Sequence, residues 1–155
     1  MGVKIRQGSF EIKALQAPPR IIDFPSGVSG WTDGWVKWSY NRPAVEAWVQ
    51  ALLLESEGWV DVTKTRWLRT YSFDAAPLAK VAPGQRLQNG CRVEVTGIRA
   101  LDRDWWTVAL QAFGEPARLR ENLRQAGRAF FRSHPPLDPF HPAQSCSYPA
   151  WLAGL

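Results

Sequence analysis

The sequence predicts an α+β fold: a curved antiparallel β-sheet, or a partial or closed barrel, with two flanking helices. Three observations predict it. Charged residues recur at every second position inside otherwise apolar segments: Lys4 and Arg6 in VKIR, Glu11 and Lys13 in FEIKAL, Lys37 in WVKWSY, Lys64 and Arg66 in VTKTRW, and Glu94 in CRVEVTGI. A period of two sends such residues to one face of a sheet and Val, Ile, Phe and Trp to the other. The chain also carries nine Trp, and large aromatics favour pleated, half-buried surfaces. Finally, two stretches between breaker residues carry apolar residues at helical spacing. With 155 residues and 45% hydrophobic content there is enough chain for one domain with a core. The expected organisation is a single β-rich domain over 1–132 and a Pro-rich tail over 133–155.

Taken in order, VKIR-QG-SFEIKAL reads as two short strands around a Gln7-Gly8 turn, with Ile5, Phe10 and Ile12 as its apolar positions. Residues 16–33 carry Pro, Gly, Ser and Asp at loop density, around an apolar island of Ile21, Ile22 and Phe24. Alternation returns over Trp35–Tyr40. Asn41 suits an N-cap, Pro43 is tolerated in a first turn, and Val45, Trp48, Val49 and Leu52 form one stripe, so a helix is expected over about 42–55. WVDVTKTRWLRTYSF is the longest strand candidate; Lys64 and Arg66 share a parity that Arg69 breaks, which suggests a bend or bulge. Residues 75–90 read as a loop ending in Asn89-Gly90. CRVEVTGIRAL and DWWTVALQAF then flank a turn at Asp102–Asp104 as a second hairpin. Pro116 opens a helix lined on one side by Leu119, Leu123, Ala126 and Phe130, expected to pack on the sheet. The tail from Ser133 is expected to be extended, with Tyr148, Trp151 and Leu152 as a docking patch.

Composition narrows the function. A net charge of +5 and a pI near 9.6 favour anionic partners. The two cysteines, Cys91 and Cys146, have no zinc spacing, and the two histidines, His134 and His141, both lie in the tail, which argues against a His-based metal site or a Ser-His-Asp triad. There is no P-loop and no GxGxxG. No apolar run reaches the length of a membrane span, and MGVKIRQGSFEIK lacks the apolar stretch of a signal peptide, so no membrane association and a cytoplasmic location are expected.

The strings GVKIRQGSFEIKA, WVKWSY, WVDVTKTRWLRTYS, GCRVEVTGIRA and WWTVALQAFG resemble an uncharacterised bacterial family, over roughly residues 2–131. That family looks like a divergent relative of the CYTH superfamily, the triphosphate tunnel enzymes that include thiamine triphosphatases and class IV adenylate cyclases. The resemblance implies antiparallel strands around a tunnel, with Lys and Arg on a triphosphate and Glu on a divalent metal. By position it puts Arg6, Lys13, Lys64, Arg66 and Arg69 on the ligand and Glu94 on the metal; the alternating charges themselves add Lys37 to the ligand candidates and Glu11 as a second carboxylate for Mg²⁺ or Mn²⁺. The family's N-terminal ExExK strand has no counterpart here and the chain opens inside a hairpin, so an N-terminal strand is expected to be missing; separately, Gln111 stands where a metal-site carboxylate is expected.

The residues support anion binding beside that resemblance. Several Lys and Arg on one face neutralise phosphate charge, and Arg adds bidentate geometry. Glu11 and Glu94 have an alternative in cross-strand pairing with Lys13, Lys37 or Arg92. The basic residues have one as a solvated sheet face, and the tryptophans as core or sheet-face packing. The expected partner is thus an anionic small molecule, a polyphosphate or nucleotide, with or without metal-dependent triphosphate hydrolysis; a non-catalytic binding or assembly module is the alternative. A nucleic acid is a further candidate. Arg120, Arg124, Arg128 and Arg132 recur at i+4 on the second helix and form a row suited to a phosphate backbone, while exposed Trp would stack bases.

Overall fold

The computed structural model describes residues 2–6, 9–41, 59–74, 78–82 and 84–155. The helix expected over 42–55 and the Gln7-Gly8 turn lie outside the described residues. The chain falls into two compact units, one drawn from Met1–Ile22, Gly30–Val60 and His141–Leu155, the other from Asp23–Ser29 and Asp61–Phe140.

The first unit is built on a three-stranded sheet of order β1 (Gly2–Arg6), β2 (Ser9–Phe24) and β3 (Val28–Asn41). β1 and β2 pair antiparallel from Gly2 opposite Lys13 to Arg6 opposite Ser9, which puts Lys4, Glu11 and Lys13 on one face and Val3, Ile5, Phe10 and Ile12 on the other. The loop expected over 16–33 is instead mostly strand. β1 ends its pairing at Lys13, so Pro18 and Pro19 fall where β2 has no β1 neighbour to receive an N–H. The real turn is Pro25–Gly27, where Ser26 (φ 63°) and Gly27 (φ 70°) supply the two successive positive φ angles of a tight hairpin.

The Pro-rich tail is not simply extended. Ser147 caps a short helix, α2 (Tyr148–Leu152), by accepting from the Ala150 N–H, and Pro142–Gln144 forms a 3₁₀ turn. Ser145 Oγ accepts the Trp31 N–H at 2.9 Å, which ties this segment to β3.

The second unit holds a four-stranded sheet of order β5 (Ala79–Val81), β4 (Val62–Ser72), β6 (Gly90–Ala100) and β7 (Arg103–Phe113), with the helix α1 (Leu119–Ser133) on one face. β5 lies inside the expected loop, as a three-residue strand on the edge of β4. The β4–β6 ladder runs unbroken from Val62 opposite Ala100 to Ser72 opposite Gly90, and β6–β7 from Gly90 opposite Phe113 to Ala100 opposite Arg103. The bulge expected in β4 is therefore absent. Directly paired residues share a face, and every face assignment below follows from this register.

One face carries Tyr71, Cys91, Val93, Val108, Leu110 and Ala112, packed with Phe73 and Leu78 against Leu123, Ala126, Ala129 and Phe130 of α1. Of the stripe expected on that helix, Leu123, Ala126 and Phe130 pack here and Leu119 does not, while the helix also buries Asn122, Gly127 and Phe131. The tip of the β2–β3 hairpin adds a second aromatic group in this unit. Phe24 lies 5.4 Å from Phe131, Phe131 is edge-on to Phe130 and Phe140, and Val28 bridges to Phe140.

The structure is accordingly α+β, but the expected single curved or closed sheet is two separate antiparallel sheets. Among the described residues each has free edges: β1 and β3 in one, β5 and β7 in the other. No described helix is long and apolar enough to cross a membrane.

Candidate anion-binding face

The face of the second sheet turned away from α1 collects charge. Reading across the strands, its rows are Lys64, Ile98 and Trp105; Arg66, Thr96 and Thr107; Leu68, Glu94 and Ala109; and Thr70, Arg92 and Gln111. Lys64, Arg66 and Glu94, chosen from sequence parity, do share this face. Arg69 does not. An odd step from Arg66 in an unbulged strand sends it to the α1 side, where its guanidinium lies 5.8 Å from the Phe130 ring centroid and 3.0 Å from His134 Nε2.

Glu94 is already engaged. Its Oε1 stands 3.3 Å from Arg66 Nε and accepts a 2.8 Å hydrogen bond from Thr96 Oγ1, with both charged side chains about a quarter to a third exposed at 25% and 31%. Glu11, in the other unit, accepts from Lys37 Nζ at 3.0 Å. That hydrogen bond holds the Glu11 carboxyl below the ordinary carboxylate range; partial burial opposes the shift, and the positive charges of Lys37, Lys4 and Lys13 add to it. Lys13 is exposed beside Glu11 on the same face, and Arg6 is placed by register alone, opposite Ser9.

A hard divalent cation takes a cage of several oxygen donors. Both candidate carboxylates instead have cationic partners, and no group of three or more His, Cys, Asp or Glu gathers among the described residues. Among the described residues, no oxygen cage for the Mg²⁺ or Mn²⁺ that the family resemblance implies is assembled. Cysteine chemistry is no substitute: burial pushes the Cys91 thiol up to about 12, far from a usable thiolate.

The same face opens into a groove of about 700 Å³ where the segment following β5 rises over the end of the sheet. Leu68, Val81 and Phe113 supply apolar walls; Thr70, Gln85, Arg86 and Arg92 supply polar ones. This volume is within the range of small-molecule sites. The Arg92 guanidinium stacks 4.8 Å from the Phe113 ring centroid, which restrains its plane while leaving its N–H edges available. Neither Arg86 nor Arg92 has an ion-pair partner among the described residues.

The loop that carries Arg86 is closed at its base. Asp74 accepts the backbone N–H groups of Gln88 at 3.0 Å and Asn89 at 2.6 Å, and Asn89 Oδ1 accepts from Glu115 N at 2.9 Å. Gly114, at φ 117°, lets the chain pass against Asn89, since a Cβ there would overlap that side chain.

Sequence reasoning missed Arg86, Arg92, Thr70 and Phe113 as site residues. For Arg92 a signal existed, because it shares parity with Glu94. Arg86 had none, because a loop has no periodicity to read. No protein-family model, curated protein or solved structure matches the chain.

Proposed function

We propose that the protein binds a phosphorylated small molecule or a short polyphosphate in the groove between Arg86 and Arg92. The observation that carries this is Arg92, an unpaired guanidinium pre-oriented on Phe113 inside a groove whose second cation, Arg86, stands on a loop pinned by Asp74. Thr70 and Gln85 offer further hydrogen-bond donors, and Leu68 and Val81 offer an apolar wall for the uncharged part of such a ligand.

A CYTH-like tunnel would enclose a ligand of this class, and triphosphate hydrolysis with Mg²⁺ or Mn²⁺ is the activity that the family resemblance suggests. The pairing of Glu94 with Arg66 and of Glu11 with Lys37 supports binding over hydrolysis. A carboxylate already neutralised by a cation must first release that partner before it ligates a metal.

The test is thermal stabilisation by tripolyphosphate, without metal and then with Mg²⁺ or Mn²⁺, alongside an orthophosphate-release assay. Ligand at about a hundred times its Kd stabilises the folded chain by about 2.7 kcal/mol. The expected outcome is metal-independent stabilisation that Arg92→Ala reduces, with no phosphate release. Metal-dependent release abolished by Glu94→Ala would replace binding with hydrolysis. No stabilisation by any polyanion would remove both.

A further inference from the structure

The α1 side of the second sheet holds a separate feature. The helix covers the rows of Tyr71 and Arg69 and its core reaches Val108 of the next row, but the tryptophans of the rows beyond them are left open. Those rows are Trp67, Val95 and Val108, then Thr65, Gly97 and Trp106. Trp67 is 61% exposed and Trp106 is 65% exposed. Burial of a large aromatic is worth several kcal/mol, so two tryptophans left open on neighbouring rows of one sheet face form a patch that packing does not explain. Between them lies Gly97, where an added Cβ would meet nothing within 4 Å. Gly ordinarily weakens a strand interior, unless it leaves room for a close approach. Here the room is a flat floor beside two indoles.

The surroundings of this platform are cationic. Arg69 is the next residue of β4 on that face after Trp67, and Arg99 is the next of β6 after Gly97, paired loosely with Asp104 at 3.4 Å in full view of solvent. Through His134, Arg69 also meets the C-terminal end of α1. From that end Arg132, Arg128, Arg124 and Arg120 run along the helix at steps of about 6 Å, with Arg120, Arg128 and Arg132 exposed and Arg124 partly buried. None of the four has an ion-pair partner among the described residues, because Glu121 on the same helix accepts from Gln125 instead. Like charges at i+4 disfavour a helix, so a polyanion lying along the row relieves a repulsion.

We infer that Trp67, Gly97 and Trp106 form a stacking platform for the bases of single-stranded nucleic acid, whose phosphates follow Arg69 and the arginine row of α1. Stacking on aromatic faces and a basic track are the two elements by which proteins hold single strands without reading sequence. A duplex hides the faces of its bases and is not expected to bind the platform. The site lies on the opposite sheet face from the Arg86–Arg92 groove and shares no residue with it.

The experiment is fluorescence anisotropy of a labelled oligothymidylate, and of its oligouridylate counterpart, about 12 nucleotides long, titrated with the full chain at about 50 mM salt. Trp67→Ala and Trp106→Ala are each expected to weaken binding about tenfold, the loss of one stacked base. Because Trp106 also contacts Phe140 at 5.9 Å, Gly97→Val is the companion variant: its Cβ meets nothing within 4 Å, and it raises strand propensity and fills the floor. It should leave thermal stability equal or higher and still weaken binding. With about four phosphates neutralised, raising salt to about 200 mM should weaken binding about 50-fold. No binding at low salt, equal binding of duplex, or tryptophan and Gly97 variants that bind as the parent does would each overturn the inference. Arg92→Ala should leave this binding unchanged; loss of oligonucleotide binding in that variant would also overturn it.

Discussion

Arg66 and Arg69 show how much of this protein turns on single steps along a strand. The same guanidinium neutralises Glu94 from one position and stacks on Phe130 from the other, and only the parity within an uninterrupted ladder separates the two fates. Although the family resemblance puts Arg69 with the ligand residues, strand parity groups it with them only if a bulge is supposed. The ladder has none, so Arg69→Ala is expected to leave tripolyphosphate affinity unchanged, whereas Arg92→Ala should lower it about tenfold or more, the worth of a charge-assisted hydrogen bond; competition titration of the two variants checks both. Lys37 and Glu11 carry a second residue-level prediction. The Glu11 pKa is lowered in the folded chain, so the contribution of the pair is complete at neutral pH and is lost as pH falls through that lowered value. With Lys37 half exposed at 50%, the contribution is about 1 kcal/mol at most. Glu11→Gln should therefore lower the urea midpoint slightly at neutral pH and leave it unchanged in acid, below the folded pKa.

At the scale of elements, alternation and helical spacing located β1, β4, β6, β7 and α1, whose residues repeat at the period of a strand or a helix. Of β2 and β3 they located residues 9–15 and 35–40 but not the stretch between. There the Pro, Gly and Ser content over 16–33 speaks for a loop, yet Pro18 and Pro19 sit where β2 has no β1 neighbour, and the chain reverses only at Pro25–Gly27. Turn chemistry makes its own prediction at the β6–β7 hairpin, where the two-residue loop is Leu101 (φ 46°) and Asp102 (φ 55°). Both adopt the left-handed conformation that Asn-Gly takes readily and Leu does not. Replacing the pair with Leu101→Asn and Asp102→Gly should stabilise the unit by about 1 kcal/mol, read as a higher urea midpoint at unchanged slope. Gly127 tests packing against propensity. Ala is favoured over Gly inside a helix by about 1 kcal/mol, but a Cβ on Gly127 would overlap the Phe24 ring. Gly127→Ala is expected to destabilise by about 1–3 kcal/mol net, and to become neutral or stabilising when combined with Phe24→Ala.

For the molecule as a whole, the strands expected in a single sheet are distributed over two. Alternation within a strand assigns residues to faces but says nothing about which strands join which sheet, so basic residues legible as one set in the sequence belong to two sheets in the fold. Of that set, Lys64 and Arg66 share a face with the groove, Lys37 is bound to Glu11, and the site gains Arg86 and Arg92 from positions where periodicity was weak or absent. The proposed anionic partner now rests on the groove, where Arg86 and Arg92 stand without an ion-pair partner among the described residues. Isothermal titration of the full chain with tripolyphosphate in the absence of divalent metal tests that claim most directly, comparing the parent with the Arg86→Ala, Arg92→Ala double variant. Saturable binding that the double variant weakens by about a hundredfold, the worth of two charge-assisted hydrogen bonds, is the predicted result. Absence of binding, or equal binding by both proteins, would contradict it.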